Sequence, residues 1–80
     1  MAQERSDFVV FLFPSVSHAL TAEKLLKRAE VPHKLIPVPR HISSDCGVCL
    51  RITEEQRPMV AALLQGRVVW EGEAPLVEQV

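Results

Sequence analysis

Phe8-Val9-Val10-Phe11-Leu12-Phe13, closed by Pro14, is apolar at every position and rich in β-branched and aromatic residues. No polar side chain marks a solvent face, so the run predicts a strand buried on both sides and central in its sheet. Ser15 and Ser17 follow as candidate N-caps. From Val16 to Glu30 the apolar residues Val16, Ala19, Ala22, Leu25, Leu26 and Ala29 recur at helical spacing. Ser17, Thr21, Lys24 and Arg28 take the opposite side, and Pro32 stops the helix. His33–Val38 is a short extended run which, with Pro37 and Pro39 at its end, suits an edge strand. Val48-Cys-Leu-Arg-Ile52 alternates, sending Val48, Leu50 and Ile52 to one face and Cys49 and Arg51 to the other. Thr53 with Gln56 has the capping-box form for a second helix that ends before Gly66. Pro58 fits that start badly, so an irregular first turn or a later start is expected. Arg67–Glu71 reads as the last strand, with the final residues loosely held.

The order β-α-β-β-α-β is that of an α+β ferredoxin-like plait (βαββαβ), a four-stranded antiparallel sheet with two helices on one face. Eighty residues suit a single domain, 1–80, with a core over about 8–71 and flexible termini. In this topology the loop after the first strand and the loop between the second and third lie at one end of the sheet. Ser15, Ser17 and His18 are therefore expected near the Arg40–Cys46 loop.

Nine Lys+Arg against ten Asp+Glu give a formal charge of −1. No basic surface is available to displace counterions from nucleic acid or to hold an anionic membrane. The apolar run Phe8–Phe13 is far shorter than the ~20 residues that span a bilayer. Glu4 and Asp7 precede it, which does not fit a signal peptide, and a cytoplasmic location is expected.

Chemistry points to Cys46 and Cys49, the whole thiol inventory. Cys46 lies in a loop before Gly47, and its neighbours by topology are Arg40, His18, His41 and a helix N-terminus. Each of these favours a thiolate over a thiol. The bland alternative is an inert exposed cysteine, and the neighbours favour the reactive one. Cys49 is either a resolving thiol or a small buried hydrophobe in a strand. In extended chain two residues three apart lie roughly 10 Å apart, beyond the ~4.4–6.8 Å of a disulfide, unless the chain turns at Gly47. A single C-x-x-C is a weak metal signal, and no metal or cofactor is expected. His18 suits a neutral hydrogen-bonding or proton-accepting role at a helix start. Arg40 is a candidate anion partner, Ser43 and Ser44 are hydrogen-bonding or turn residues, and Trp70 is expected to pack.

His18-Ala-Leu-Thr-Ala-Glu-Lys24, Ile36-Pro-Val-Pro-Arg40 and Ile42-Ser-Ser-Asp-Cys-Gly47 occur in that order. Together they resemble the signature of a small bacterial family of selenium/sulfur carrier protein-like chains, formerly a domain of unknown function. The similarity covers roughly residues 8–71. It implies a thiol carrier working beside desulfurases or selenium-activating enzymes. The family's Cys-Gly falls on Cys46-Gly47, its Pro-Arg on Pro39-Arg40 and its helix-start His on His18. Cys49 stands where a small apolar residue is expected, so the resemblance implies no dithiol mechanism.

The expected protein is thus a small carrier that holds sulfur or selenium on Cys46 as a persulfide or selenosulfide for transfer to a partner, more accessory than independent enzyme. Arg40, His18, Ser43, Ser44 and Gly47 would serve the bound group. The alternatives are a dithiol redox or metal-handling module using Cys46 and Cys49, and a regulatory interaction domain with an incidental thiol. The sheet face left open by the helices takes either Phe8/Val10/Leu12 or Val9/Phe11/Phe13, joined by Cys49, Arg51 and Trp70 or Val69. An apolar face of that kind predicts a homodimer by sheet stacking, a cover made by Leu76–Val80, or a docking face for the donor.

Overall fold

The computed structural model of the chain describes residues 7–39, 42 and 47–77. Its elements are β1 (Asp7–Leu12), α1 (Val16–Arg28), β2 (Lys34–Pro37), β3 (Val48–Thr53), a 3₁₀ turn (Glu54–Gln56), α2 (Arg57–Leu64) and β4 (Gly72–Val77). The sheet order is β2-β3-β1-β4, and each neighbouring pair is antiparallel. This is the ferredoxin-like α+β arrangement. β1 is interior, paired with β3 along one edge and β4 along the other, while β2 lies at the sheet edge.

Alternation along β1 divides its side chains between two apolar clusters. Val9, Phe11 and Phe13 join Leu50 and Ile52 of β3 beneath Ala19, Ala22 and Leu26 of α1 and Val60 and Leu64 of α2. Ala19 and Ala22 are small, so α1 can lie close to the sheet. The other face holds Val10, Leu12 and Cys49, with Ile36, Val38, Ile42, Ala74 and Leu76 packed against them. Val10 and Cys49 are 0% exposed and Leu12 is 9% exposed. The set on the open face is therefore Phe8/Val10/Leu12, and its centre is closed over within one chain. Ile36 of β2 and Ala74 and Leu76 of β4 stand beside that centre on the same face as half-buried apolar side chains, with Ile42 packed against it, so a buried centre with a partly exposed apolar rim takes the place of the bare face that motivates a stacked homodimer. At its edge the Arg51 guanidinium sits over the Phe8 ring, 4.3 Å from the centroid.

Local capping sets the helix limits. Ser15 is extended (φ −155°, ψ 166°) and its Oγ accepts the His18 N–H, as an N-cap does. At the other end Glu30 N–H donates to Lys27 O and Val31 N–H to Leu26 O, with Glu30 at φ 58°. That is a Schellman motif with glutamate in the left-handed position, and buried Val31 packs with Leu26. The helix therefore stops before Pro32 is reached. Val16, expected on the buried side, is 49% exposed because it starts the first turn beyond the sheet contact. For α2 the later start holds: Thr53 makes no side-chain cap, and Pro58 sits in the first turn of α2, after the 3₁₀ turn. Proline is tolerated there because its missing N–H would have no helical partner.

The fourth strand differs from expectation. Residues 67–71 form the connection out of α2, and β4 begins at Gly72. Arg67 N–H and Val68 N–H both donate to Leu64 O, so these amides close the end of α2 and do not enter a ladder. Val68 enters the core, and the Trp70 ring packs on Phe11 on the helix side, centroids 5.6 Å apart. Glu71 N–H then reaches Leu12 O, and the ladder runs from Leu12↔Gly72 to Asp7↔Val77. Pro75 is accommodated because β4 is an edge strand. The Glu73 carboxylate accepts from Arg57 Nη1 (3.1 Å) and Trp70 Nε1 (3.2 Å), tying α2 and the connection to β4.

Two outcomes follow from these contacts. Glu30→Gly removes the left-handed cost of a side chain and should stabilise the protein by about 0.5–1 kcal/mol after the unfolded-state entropy of glycine is offset. Thermal unfolding followed by circular dichroism reads this as a rise of a few degrees; an unchanged or lower midpoint contradicts the motif. A chain ending at Glu71 loses the whole β4 edge and should show no cooperative unfolding transition. A wild-type transition in that truncation would mean that β4 contributes nothing.

Candidate functional site

Because β1 and β2 both run antiparallel to the β3 between them, their C-terminal ends meet at one end of the sheet. The register records this: Leu12 faces Cys49 and Gly72, and Pro37 faces Val48. The start of α1, the end of β2, Gly47 and the approach to β4 are all delivered there. The expected proximity of the α1 start to the loop between β2 and β3 rests on this geometry. Val38 N–H donates to Gly47 O at 3.1 Å, and Ile42 N–H to Pro39 O at 3.0 Å. Arg40, Ser43, Ser44 and Cys46, with His41, lie outside the described residues.

Gly47, the residue joined to Cys46, is exposed, and a Cβ there would meet nothing within 4 Å. Open space lies on the side where a side chain would project, while its carbonyl is held by Val38 N–H. Cys49, two residues on, occupies a different setting. It is 0% exposed, between Leu12 of β1 and Ile36 of β2 in the register, among the apolar side chains of the open face.

His18 sits in the first turn of α1, half-buried, with Nδ1 2.7 Å from Ser15 Oγ. Ser15 Oγ already accepts the His18 amide (3.4 Å). The one hydroxyl thus meets both the backbone and the ring of His18, and Nε2 is the ring nitrogen that Ser15 does not engage. Lys27 and Arg28 close the last turn, matching the helix dipole's preference for cations there, while the first turn holds no acidic residue to offset its positive end.

One neighbour of His18 was not foreseen. Ser17, His18, Thr21, Arg67, Val68 and Val69 line an open depression of about 260 Å³. Arg67 had been assigned to a strand; instead its Nη1 donates to Leu63 O at 3.0 Å. A cation just past a helix-ending glycine is a recurring partner of the last helical carbonyls, and Gly66-Arg67 carried that signal. Gly66 itself has φ 82°, the left-handed turn that redirects the chain after α2.

The chain has a family match. A family model described as "Putative Se/S carrier protein-like" matches residues 8–71. The matched segment runs from β1 to the residue before β4. No curated protein and no solved structure matches the chain. Among the described residues no helix is long and apolar enough to cross a membrane.

The placement of Cys49 makes a labelling prediction. Under native conditions Cys49 should react with iodoacetamide only as fast as the sheet opens, and should label freely in denaturant. Peptide mass spectrometry across a time course measures this; rapid native labelling of Cys49 would contradict its burial.

Proposed function

The chain belongs to the Se/S carrier protein-like family, and on that premise we propose that it carries sulfur or selenium on Cys46 as a persulfide or selenosulfide. The family match is the observation that carries the reading. It is supported by the convergence of α1, β2 and β3 at one sheet end beside Gly47. A first helical turn without acidic residues favours an anion at that end. Arg40 is proposed as its cationic partner, and His18, Ser43 and Ser44 as hydrogen-bonding groups. Gly47 leaves the backbone beside the thiol uncrowded.

The transfer conserves electrons. Cys46 as thiolate attacks the terminal sulfur or selenium of a donor enzyme's cysteine persulfide or selenosulfide. The donor's bond to that atom breaks, and its cysteine leaves as the thiolate with the electron pair. Delivery is the same exchange with the acceptor as nucleophile. Partners are therefore donor and acceptor proteins of the desulfurase or selenium-activating kind, in a reducing compartment such as the bacterial cytoplasm. The burial of Cys49 favours Cys46 as the loading residue, since a group arriving from a partner must reach the thiol.

Incubation with a cysteine desulfurase and cysteine, or with selenocysteine in place of cysteine, should add one sulfur or selenium atom to Cys46, read by intact-protein and peptide mass spectrometry. Cys46→Ser should abolish the adduct, and Cys49→Ser should leave most of it. An adduct that survives Cys46→Ser, or no adduct with either donor, overturns the proposal.

A further inference from the structure

The depression beside His18 has a donor set with no described acceptor. Its lining of Ser17, His18, Thr21, Arg67, Val68 and Val69 contains no carboxylate. Arg67 spends Nη1 on Leu63 O, and the guanidinium fork carries further N–H donors. The pairing of His18 Nδ1 with Ser15 leaves Nε2 as the ring nitrogen available to a ligand. Ser17 adds a hydroxyl, whereas Thr21 donates its own to Ser17 O (3.0 Å) and serves as wall. Val68 and Val69 form an apolar side.

We propose that this depression, between the first turn of α1 and Arg67–Val69, binds a small tetrahedral oxyanion of the phosphate or sulfate class. Donors of three kinds on two walls call for oxygens in more than two directions, which a tetrahedral oxyanion has and a planar carboxylate lacks. The volume of about 260 Å³ exceeds the ~30 Å³ share of a single water several times over, so a polyatomic ion fits. The depression beside Val9 and Pro75 is larger, about 330 Å³, but its arginine, Arg57, is already paired with Glu73 and a second acid, Glu54, lines it. This inference shares His18 with the carrier reading but uses no thiol, so Cys46→Ser, which ends loading, should leave oxyanion binding unchanged.

The test is a titration of the ¹⁵N-labelled full chain with sodium phosphate, and separately sodium sulfate, at ionic strength held constant with chloride. Saturable amide shifts confined to Ser17, His18, Thr21 and Arg67–Val69 are expected. Arg67→Gln should weaken binding by about tenfold or more, as loss of a charge-assisted partner does, and Arg28→Gln at the far end of α1 should bind as wild type. Thr21→Glu, an exposed position, should abolish the shifts by placing a carboxylate on the wall, and it serves if Arg67→Gln fails to fold. Linear drift shared by all the cations, or unaltered binding in the folded Arg67→Gln or Thr21→Glu variant, overturns the proposal.

Discussion

β1 is hydrogen-bonded along both edges and buried on both faces, and the rest of the chain takes its position from that strand. Each fully buried Phe or Val is worth roughly 1.5–3 kcal/mol relative to exposure, so the strand concentrates much of the stability available to eighty residues. Its odd-numbered side chains require the two helices as cover. Its even-numbered ones are flanked on the other face by Ile36, Ala74 and Leu76 of the neighbouring strands, with Val38 and Ile42 packed against them. One central strand with no polar face therefore yields a sheet with an apolar cluster on each side.

The edge of the same sheet fixes the surroundings of Cys49. β3 enters the sheet at Val48, so Gly47 remains outside it and exposed. From Val48 onward alternation takes over, and Cys49 is turned into the face shared with Val10 and Leu12. The boundary between loop and strand thus separates exposed Gly47 from enclosed Cys49 within a single C-x-x-C. Nearby, Ser15 serves both the α1 backbone and the His18 ring, which couples the helix start to the chemistry available at that sheet end.

Much of this was legible along the chain. The uninterrupted run Phe8–Phe13 marked an interior strand, Ser15 marked a helix start, and the alternation from Val48 to Ile52 separated Leu50 from Cys49 before any coordinates. The fourth strand was misplaced for an identifiable reason: Arg67–Glu71 alternates as a strand does, with Val68 and Trp70 inward. Alternation reports which side chains are buried, whereas strand identity depends on where the amides go. Those of Arg67 and Val68 go to Leu64 O. Glu73, Pro75 and Gly72 disguise the real strand, since an edge position tolerates residues that an interior one would not.

By itself the sequence determined the order of elements, the two-faced burial of β1 and the family to which the chain belongs, because periodicity, capping residues and motif spacing are local properties. Tertiary structure decided what packs on the second sheet face, where β4 lies, and that Arg67 and His18 line one depression. These depend on contacts between segments far apart in the chain, made when the end of α2 returns to the start of α1, and no local pattern encodes the distance between them.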